Sequence, residues 1–235
     1  ISLTDSDGDG VYTASATVGA GATDGSQSVT ITVTDGAGNT ASATTNTLTV
    51  DTTAPTAEAG PNQDVDEDTL VSFDGTGSSD NVGVTSYEWD VDGDGTTDAT
   101  GATPTHTYTD PGTYTVTLTV SDAAGNTDTD TLTVTVQDTT PPSVSNFAVT
   151  NPSDRDVQVS FETDEQLQTI SLPISGAAST TLSRGDFTET GAGSTYTYTA
   201  VYTGSTDGTY TATLDTAADA AGNDGATGQS GSVVI

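Results

Sequence analysis

The sequence predicts an all-β protein, built as antiparallel β-sandwiches joined in a linear array. Three observations carry that expectation. Apolar and polar residues alternate with a period of two over many short runs, which is the pattern of a half-buried strand. No stretch places apolar residues at helical spacing. The same turn phrases also return at long intervals, as they do where a module is repeated.

In chain order, the first runs fall at 11–18, 27–34 and 43–50, with "VTITV" at 29–33. "TYTVTLTV" (113–120) then puts Tyr114, Val116, Leu118 and Val120 on one face and threonines on the other. "TLTVTV" (131–136), "VQVSF" (157–161) and "TYTYTAVY" (195–202) read the same way. Threonine is β-branched and suits a pleated, solvated face. Between the runs stand "TDGAGN" (34–39), "SDAAGN" (121–126) and "ADAAGN" (218–223), and "VDTTAP" (50–55) returns as "QDTTPP" (137–142). Asp35 to Asp51 is 16 residues, as is Asp122 to Asp138. Six or seven short strands per module, with Gly/Asp turns between them, imply a sandwich. "DPGTY" (110–114) and "DGTY" (207–210) predict tyrosine corners, whereas the first module has Gln27 at that place.

Charge excludes one partner class. The chain has 34 Asp and Glu against 2 Lys and Arg, a net charge of −32. The only cations are Arg155 and Arg184. A nucleic-acid partner requires the opposite sign. Self-repulsion of this size destabilises a compact state in dilute buffer. Disorder, calcium saturation and life in molar salt are three ways to accommodate it, and the strand patterns argue against disorder. There is no cysteine, so no disulfide or thiolate site. No apolar run approaches the roughly 20 residues of a membrane span, and no signal peptide is present. Residue 1 is therefore not required to be a natural start.

Residues 54–137 resemble a PKD (polycystic kidney disease) domain. The carriers are "FDGTGSSD" (73–80), "SYEWD" (86–90), "PTHTYTDPGTYTVTLTVSD" (104–122) and "TLTVTV". The family usually reads W-D-F-G-D-G where this chain reads W-D-V-D-G-D-G. The "DxAGN" and "DTTxP" phrases make 1–51 and 139–235 similar to immunoglobulin-like repeats of large bacterial and archaeal surface proteins. The Asp- and Thr-rich, Lys-free composition resembles that of haloarchaeal proteins. The expected organisation is the C-terminal part of an immunoglobulin-like module at 1–53, a PKD-like sandwich at 54–138 and an immunoglobulin-like sandwich at 139–235. The front half of the first module is expected upstream. Its remnant would expose Val11, Val29, Ile31, Val33, Leu48 and Val50, to be covered by upstream chain or by a strand from a neighbouring subunit. The resemblance implies a non-catalytic extracellular spacer or interaction module.

A seven-strand order puts the B–C and F–G loops at the pole where a module begins. The linker Asp51 should then meet Asp80 of the B–C loop and Asp122 of the F–G loop. In related calcium-bearing PKD domains the equivalent positions supply ligands. Where some relatives have a second B–C carboxylate, this chain has Val82, so Asn81 or water would fill in. At the next junction the candidates are Asp138, Asp164 and Asp219, with Glu162 and Glu165 nearby. Carboxylates without His or Cys suit Ca2+. The alternative is a set of ordinary Asx turns in an acid-rich protein.

A third candidate is "DVDGDGTTDATG" (90–101). Asp90, Asp92, Asp94, Gly95 and Asp98 fit EF-hand positions 1, 3, 5, 6 and 9, but Gly101 stands at position 12, where a bidentate Glu belongs. With no flanking helices it is an Asp-rich turn on a β-scaffold. "DSDGDG" (5–10) fails likewise, with Ala16 at position 12.

No catalytic constellation emerges. His106, the lone histidine, and Trp89, the lone tryptophan, read as packing residues. No motif supports a Ser–His–Asp triad. The expected function is a stalk segment of an S-layer, filament or adhesin, stiffened by Ca2+. Its partners would be neighbouring modules of a longer chain and contacts in a homopolymer or lattice. The alternatives are a carbohydrate- or cell-binding region beside a secreted hydrolase, or a viral fibre. Tyr196, Tyr198 and Tyr202, with Phe187, discriminate: an exposed aromatic row favours binding, a buried one the stalk.

Overall fold

A computed structural model describes residues 23–28, 30–34, 37–44 and 48–235. The expectations for 5–10, 11–18, Val29, Asp35 and the Leu48 side chain fall outside what is described. Among the described residues there is no α-helix, and no helix is long and apolar enough to cross a membrane. The all-β class holds. The chain divides into two compact units. The first contains the described residues up to Val65, with Thr69–Tyr108 and Gly112–Thr135. The second contains Asp66–Asp68, Thr109–Pro111 and Val136–Ile235.

In the first unit, β1 (Gly25–Gln27) pairs with β4 (Leu48–Val50), and β2 (Thr30–Thr34) with β3 (Thr40–Thr44), all antiparallel. Ile31 and Val33 stand exposed on β2, while Val50 is buried. Seven strands follow: β5 (Gln63–Asp66), β6 (Leu70–Ser72), β7 (Val84–Asp90), β8 (Ala99–Thr100), β9 (Thr105–Thr107), β10 (Gly112–Asp122) and β11 (Thr127–Gln137). One sheet has the order β5-β11-β10-β7-β8, and β6 pairs with β9. The alternation read in 113–120 is real: Val116, Leu118 and Val120 are fully buried. Trp89 lies opposite Leu118 in the ladder and stacks on Phe73, which follows β6, at 5.3 Å. Its indole N–H reaches Gly101 O at 3.0 Å. Register shifts between Ser121 and Asp122, a bulge of the kind that re-aims a side chain at a strand end.

Two sheets also enclose the core of the second unit. One runs β12 (Val144–Thr150), β13 (Asp156–Thr163), β17 (Thr195–Thr203), β16 (Thr188–Ala192). The other runs β15 (Thr180–Ser183), β14 (Thr169–Gly176), β18 (Thr209–Thr213), β20 (Ser230–Val234), with β19 (Thr216–Ala218) also on β14. Strict alternation on β13 buries Val157, Val159 and Phe161. They meet Leu172 and Ile174 of β14 and Tyr210 of β18 in one cluster. Tyr210 is a tyrosine corner, its O–H donating to Thr206 O at 2.8 Å. In "DPGTY", Tyr114 is half-buried with its ring 4.3 Å from Tyr108. His106 packs edge-on to Tyr108 at 4.6 Å. The tyrosine face of β17 is not open. Tyr198 and Phe187 are buried, and Tyr196 and Tyr202 pack against the core.

Candidate metal sites

The second and third "DxAGN" loops each close on their first residue. Asp122 N–H donates to Asn126 O at 3.1 Å, and Asp219 N–H to Asn223 O at 3.2 Å. Glycine allows the reversal: Gly125 has φ +90°, Gly222 +97° and Gly38, in the first copy, +88°. The aspartates are drawn inward, to 5% exposure for Asp122 and 3% for Asp219. Asp122 Oδ1 accepts from Ala124 N–H (2.8 Å) and Asn126 N–H (2.9 Å), and Oδ2 from Asn126 Nδ2 (2.7 Å). Burial pushes this carboxyl up. The bonds from the Asn126 side chain and from the Asn126, Gly125 and Ala124 backbone outweigh it and hold the group below the usual carboxylate range.

The asparagine then reaches the linker. Asn126 Nδ2 donates to Asp51 O (3.4 Å) and Thr53 O (3.3 Å). Asn223 Nδ2 donates to Asp138 O (3.2 Å) and Asp138 Oδ1 (3.3 Å). Sequence reasoning gave these two asparagines no role. The signal was present, since Asn closes all three copies of the phrase.

Asp51, Asp80 and Asp122, from three distant parts of the sequence, each offer an oxygen within 4.8 Å of the others. Asp80 Oδ2 accepts from Val82 N–H (2.8 Å) and Gly83 N–H (2.7 Å). Its other oxygen, Oδ1, is buried without a hydrogen-bond partner. A buried carboxylate oxygen left unpaired is costly. A cation among these three carboxylates would satisfy it, so the residues fit a hard, oxygen-seeking ion. Asn81 stands beside the cluster, its amide N–H donating to Asp51 Oδ1 at 3.3 Å.

At the second linker the cluster is Asp138, Glu165 and Asp219, again within 4.8 Å. Asp164 was the expected third member, and the structure places it outside. Its Oδ1 accepts from Ser143 N–H at 2.7 Å instead. β13 ends at Thr163, and the bend that follows separates the two acids. Phe161 and Thr163 point inward, Asp164 is exposed, and Glu165 turns back toward the cluster. Glu165 is raised to about 7, first by burial and then by the charges of Asp138, Asp219, Asp164 and Glu67. A carboxyl that resists ionisation among carboxylates is the electrostatic mark of a site lacking positive charge.

In the 90–101 turn, Asp90, Asp92 and Asp98 meet the same distance criterion, but Asp92 and Asp98 are exposed. Asp94 lies outside this cluster and caps its own turn, accepting from Thr96 N–H (2.7 Å) and O–H (2.6 Å). Asp90 accepts from Gly93 and Gly95, and Asp98 from Val91 N–H. These are self-contained Asx turns. No orphaned oxygen distinguishes this cluster among the described residues.

Residues 52–136 match the family model of the PKD domain. No curated protein matches the chain. Several solved structures are similar in fold. Carbohydrate-binding modules from the β-sandwich superfamily are 15% identical, covering 79% of this chain and 97% of that one, with a TM-score of 0.36. A mutated three-immunoglobulin fragment of titin is 14% identical, covering 89% and 72%, with a TM-score of 0.42. SGBP-B of the Bacteroides ovatus mixed-linkage glucan utilization locus, in complex with a heptasaccharide, is 17% identical, covering 78% and 47%, with a TM-score of 0.33. Likenesses at this level carry no argument about activity or ligand.

Proposed function

We propose that this chain is a non-catalytic structural segment of an extracellular surface protein, an S-layer, filament or adhesin stalk, in which Ca2+ fixes the linkers. The carrying observation is the convergence of Asp51, Asp80 and Asp122 around the buried, unpaired Asp80 Oδ1. Asp51, Asp80 and Asp122 would hold one ion, and Asp138, Glu165 and Asp219 a second. The ion would supply charge neutralisation and oxygen coordination, tying a linker aspartate to two loops of the module that follows. Asp90, Asp92 and Asp98 form a third, weaker candidate. High salt would screen the remaining charge. The buried Tyr198 and Phe187, with Tyr196 and Tyr202 against the core, weigh against the carbohydrate-binding alternative. The large exposed hydrophobics among the described residues include no aromatic ring.

The test is calcium titration at fixed high salt, read by calorimetry and by thermal unfolding. Calcium should raise the melting temperature of the wild type. A hundredfold excess over the dissociation constant corresponds to about 2.7 kcal/mol per site. Asp80→Ala should abolish one binding event and leave the other. If wild type and Asp80→Ala respond equally to calcium, Asp80 is a turn residue and the first site is lost.

A further inference from the structure

The tripeptide that begins each linker, Asp51-Thr52-Thr53 and Asp138-Thr139-Thr140, is held in one hydrogen-bond pattern in both places. The second threonine's N–H donates to the linker aspartate: Thr53 to Asp51 Oδ1 at 3.3 Å, Thr140 to Asp138 Oδ1 at 3.1 Å. The first threonine's N–H donates to an acid from elsewhere in the chain. Thr52 N–H reaches Asp24 Oδ1 at 2.8 Å, and Thr139 N–H reaches Glu67 Oε1 at 3.1 Å. The second threonine's O–H donates to the same acid, Thr53 to Asp24 and Thr140 to Glu67. In the first linker the Thr52 O–H joins in, at 2.7 Å from Asp24 Oδ1.

The two acids occupy equivalent places although one is Asp and the other Glu. β1 pairs with β4 so that Gly25 faces Val50. Asp24 is therefore one step beyond the ladder, beside the residues that follow Asp51. Glu67 immediately follows β5, and its N–H donates to Gln137 O, the last residue of β11. It too stands one step beyond a ladder, beside the residues that follow Asp138. Strand pairing thus delivers a carboxylate to the start of each linker.

We propose that Asp-Thr-Thr with its upstream acid is a cation-independent latch that fixes the course of the linker backbone. Its two upstream acids, Asp24 and Glu67, belong to neither of the candidate ion clusters. Hydrogen bonds to an ionised acceptor are the strong ones, and here two or three converge on a single carboxylate. Both acids are held below the usual carboxylate range, chiefly by the threonine hydroxyls. The latch therefore stays closed at neutral pH with or without calcium.

The test is residue-resolved amide hydrogen exchange on the whole chain, in chelator at high salt. Thr52 and Thr139 are both exposed, so protection of their amides reports the latch and not burial. Glu67→Ala should speed exchange at Thr139 by about tenfold and leave Thr52 unchanged. Asp24→Ala should do the reverse, so each variant is the folding control for the other. Thr140→Val, which removes only the hydroxyl, should give a smaller acceleration at Thr139. The proposal is overturned if the Thr139 amide exchanges as fast in the wild type as in Glu67→Ala. It is equally overturned if protection appears only when calcium is added.

Discussion

Arg184 is one of two cations in the chain, and it is placed inside the second unit. Its Nε–H donates to Leu167 O at 3.0 Å, its Nη2 pairs with Glu189, and its guanidinium lies 5.1 Å from the Tyr198 ring centre. The Arg184 and Glu189 side chains are only 31% and 18% exposed. Removing one partner leaves the other poorly solvated. Arg184→Ala should therefore destabilise the second unit by about 2 kcal/mol, measured by denaturant unfolding. Arg184→Lys should recover little, because a lysine cannot reproduce the planar fork. Arg155 pairs with Asp207 at side-chain exposures of 52% and 78%, so Arg155→Ala should stay within about 0.5 kcal/mol. Equal effects would mean that the partial burial of Arg184 does not matter. Nothing local in the sequence announces the whole contact, because Leu167 and Tyr198 come from other segments of the chain and meet Arg184 only in the folded unit. Asp51, Asp80 and Asp122 could be placed in advance because strand count alone assigns their loops to one pole. Glu165 stood beside Asp164 among the acids of the B–C region, and nothing in the sequence ranked it first, because β13 ends at Thr163 and strand parity does not carry past it.

The recurring element is the "DxAGN" turn, and its three copies share a left-handed glycine at Gly38, Gly125 and Gly222. Any L side chain is strained in that conformation, although open space surrounds all three positions. Gly125→Ala and Gly222→Ala should each cost about 1–2 kcal/mol and should weaken calcium binding at the cluster the altered loop serves. Calorimetric titration of both variants checks this. If binding is unchanged, the loop does not position Asp122 or Asp219. The strands themselves were legible because threonine alternates with valine, leucine and tyrosine across several modules' worth of sequence. The segment at 56–59 was not. Ala57 and Ala59 donate their N–H groups to the Asp128 and Asp130 carboxylates at 2.9 and 2.8 Å. Alternating aspartates on β11 thus stand in for part of a backbone ladder, and in a chain this acidic no two of them stand out.

At the scale of the molecule, a net charge of −32 makes pH a direct probe of the candidate sites. Asp24, Glu67, Asp122 and Asp156 have lowered folded values. Their contribution is present above the ordinary carboxylate range and is lost as pH falls through those lowered values. Glu165 has the opposite sign. Its folded value of about 7 lies above the ordinary 4.5, so the folded state holds an extra proton between the two. That stabilisation is complete below about 4.5 and is lost as pH rises through about 7. In chelator, the second unit should therefore be more stable near pH 5 than near pH 8. General repulsion among the other carboxylates gives a slope of the same sign, so the wild type alone does not isolate Glu165. The difference between the wild type and Glu165→Gln does, because Gln cannot ionise and the remaining charges are shared. Glu165→Gln should flatten the decline in chelator, and calcium should flatten it in the wild type by neutralising Asp138, Glu165 and Asp219 together. Melting curves at both pH values, with and without calcium, decide the matter. A wild type and a Glu165→Gln variant that decline in parallel in chelator would show that Glu165 ionises freely and that the second cluster carries no electrostatic strain for an ion to relieve.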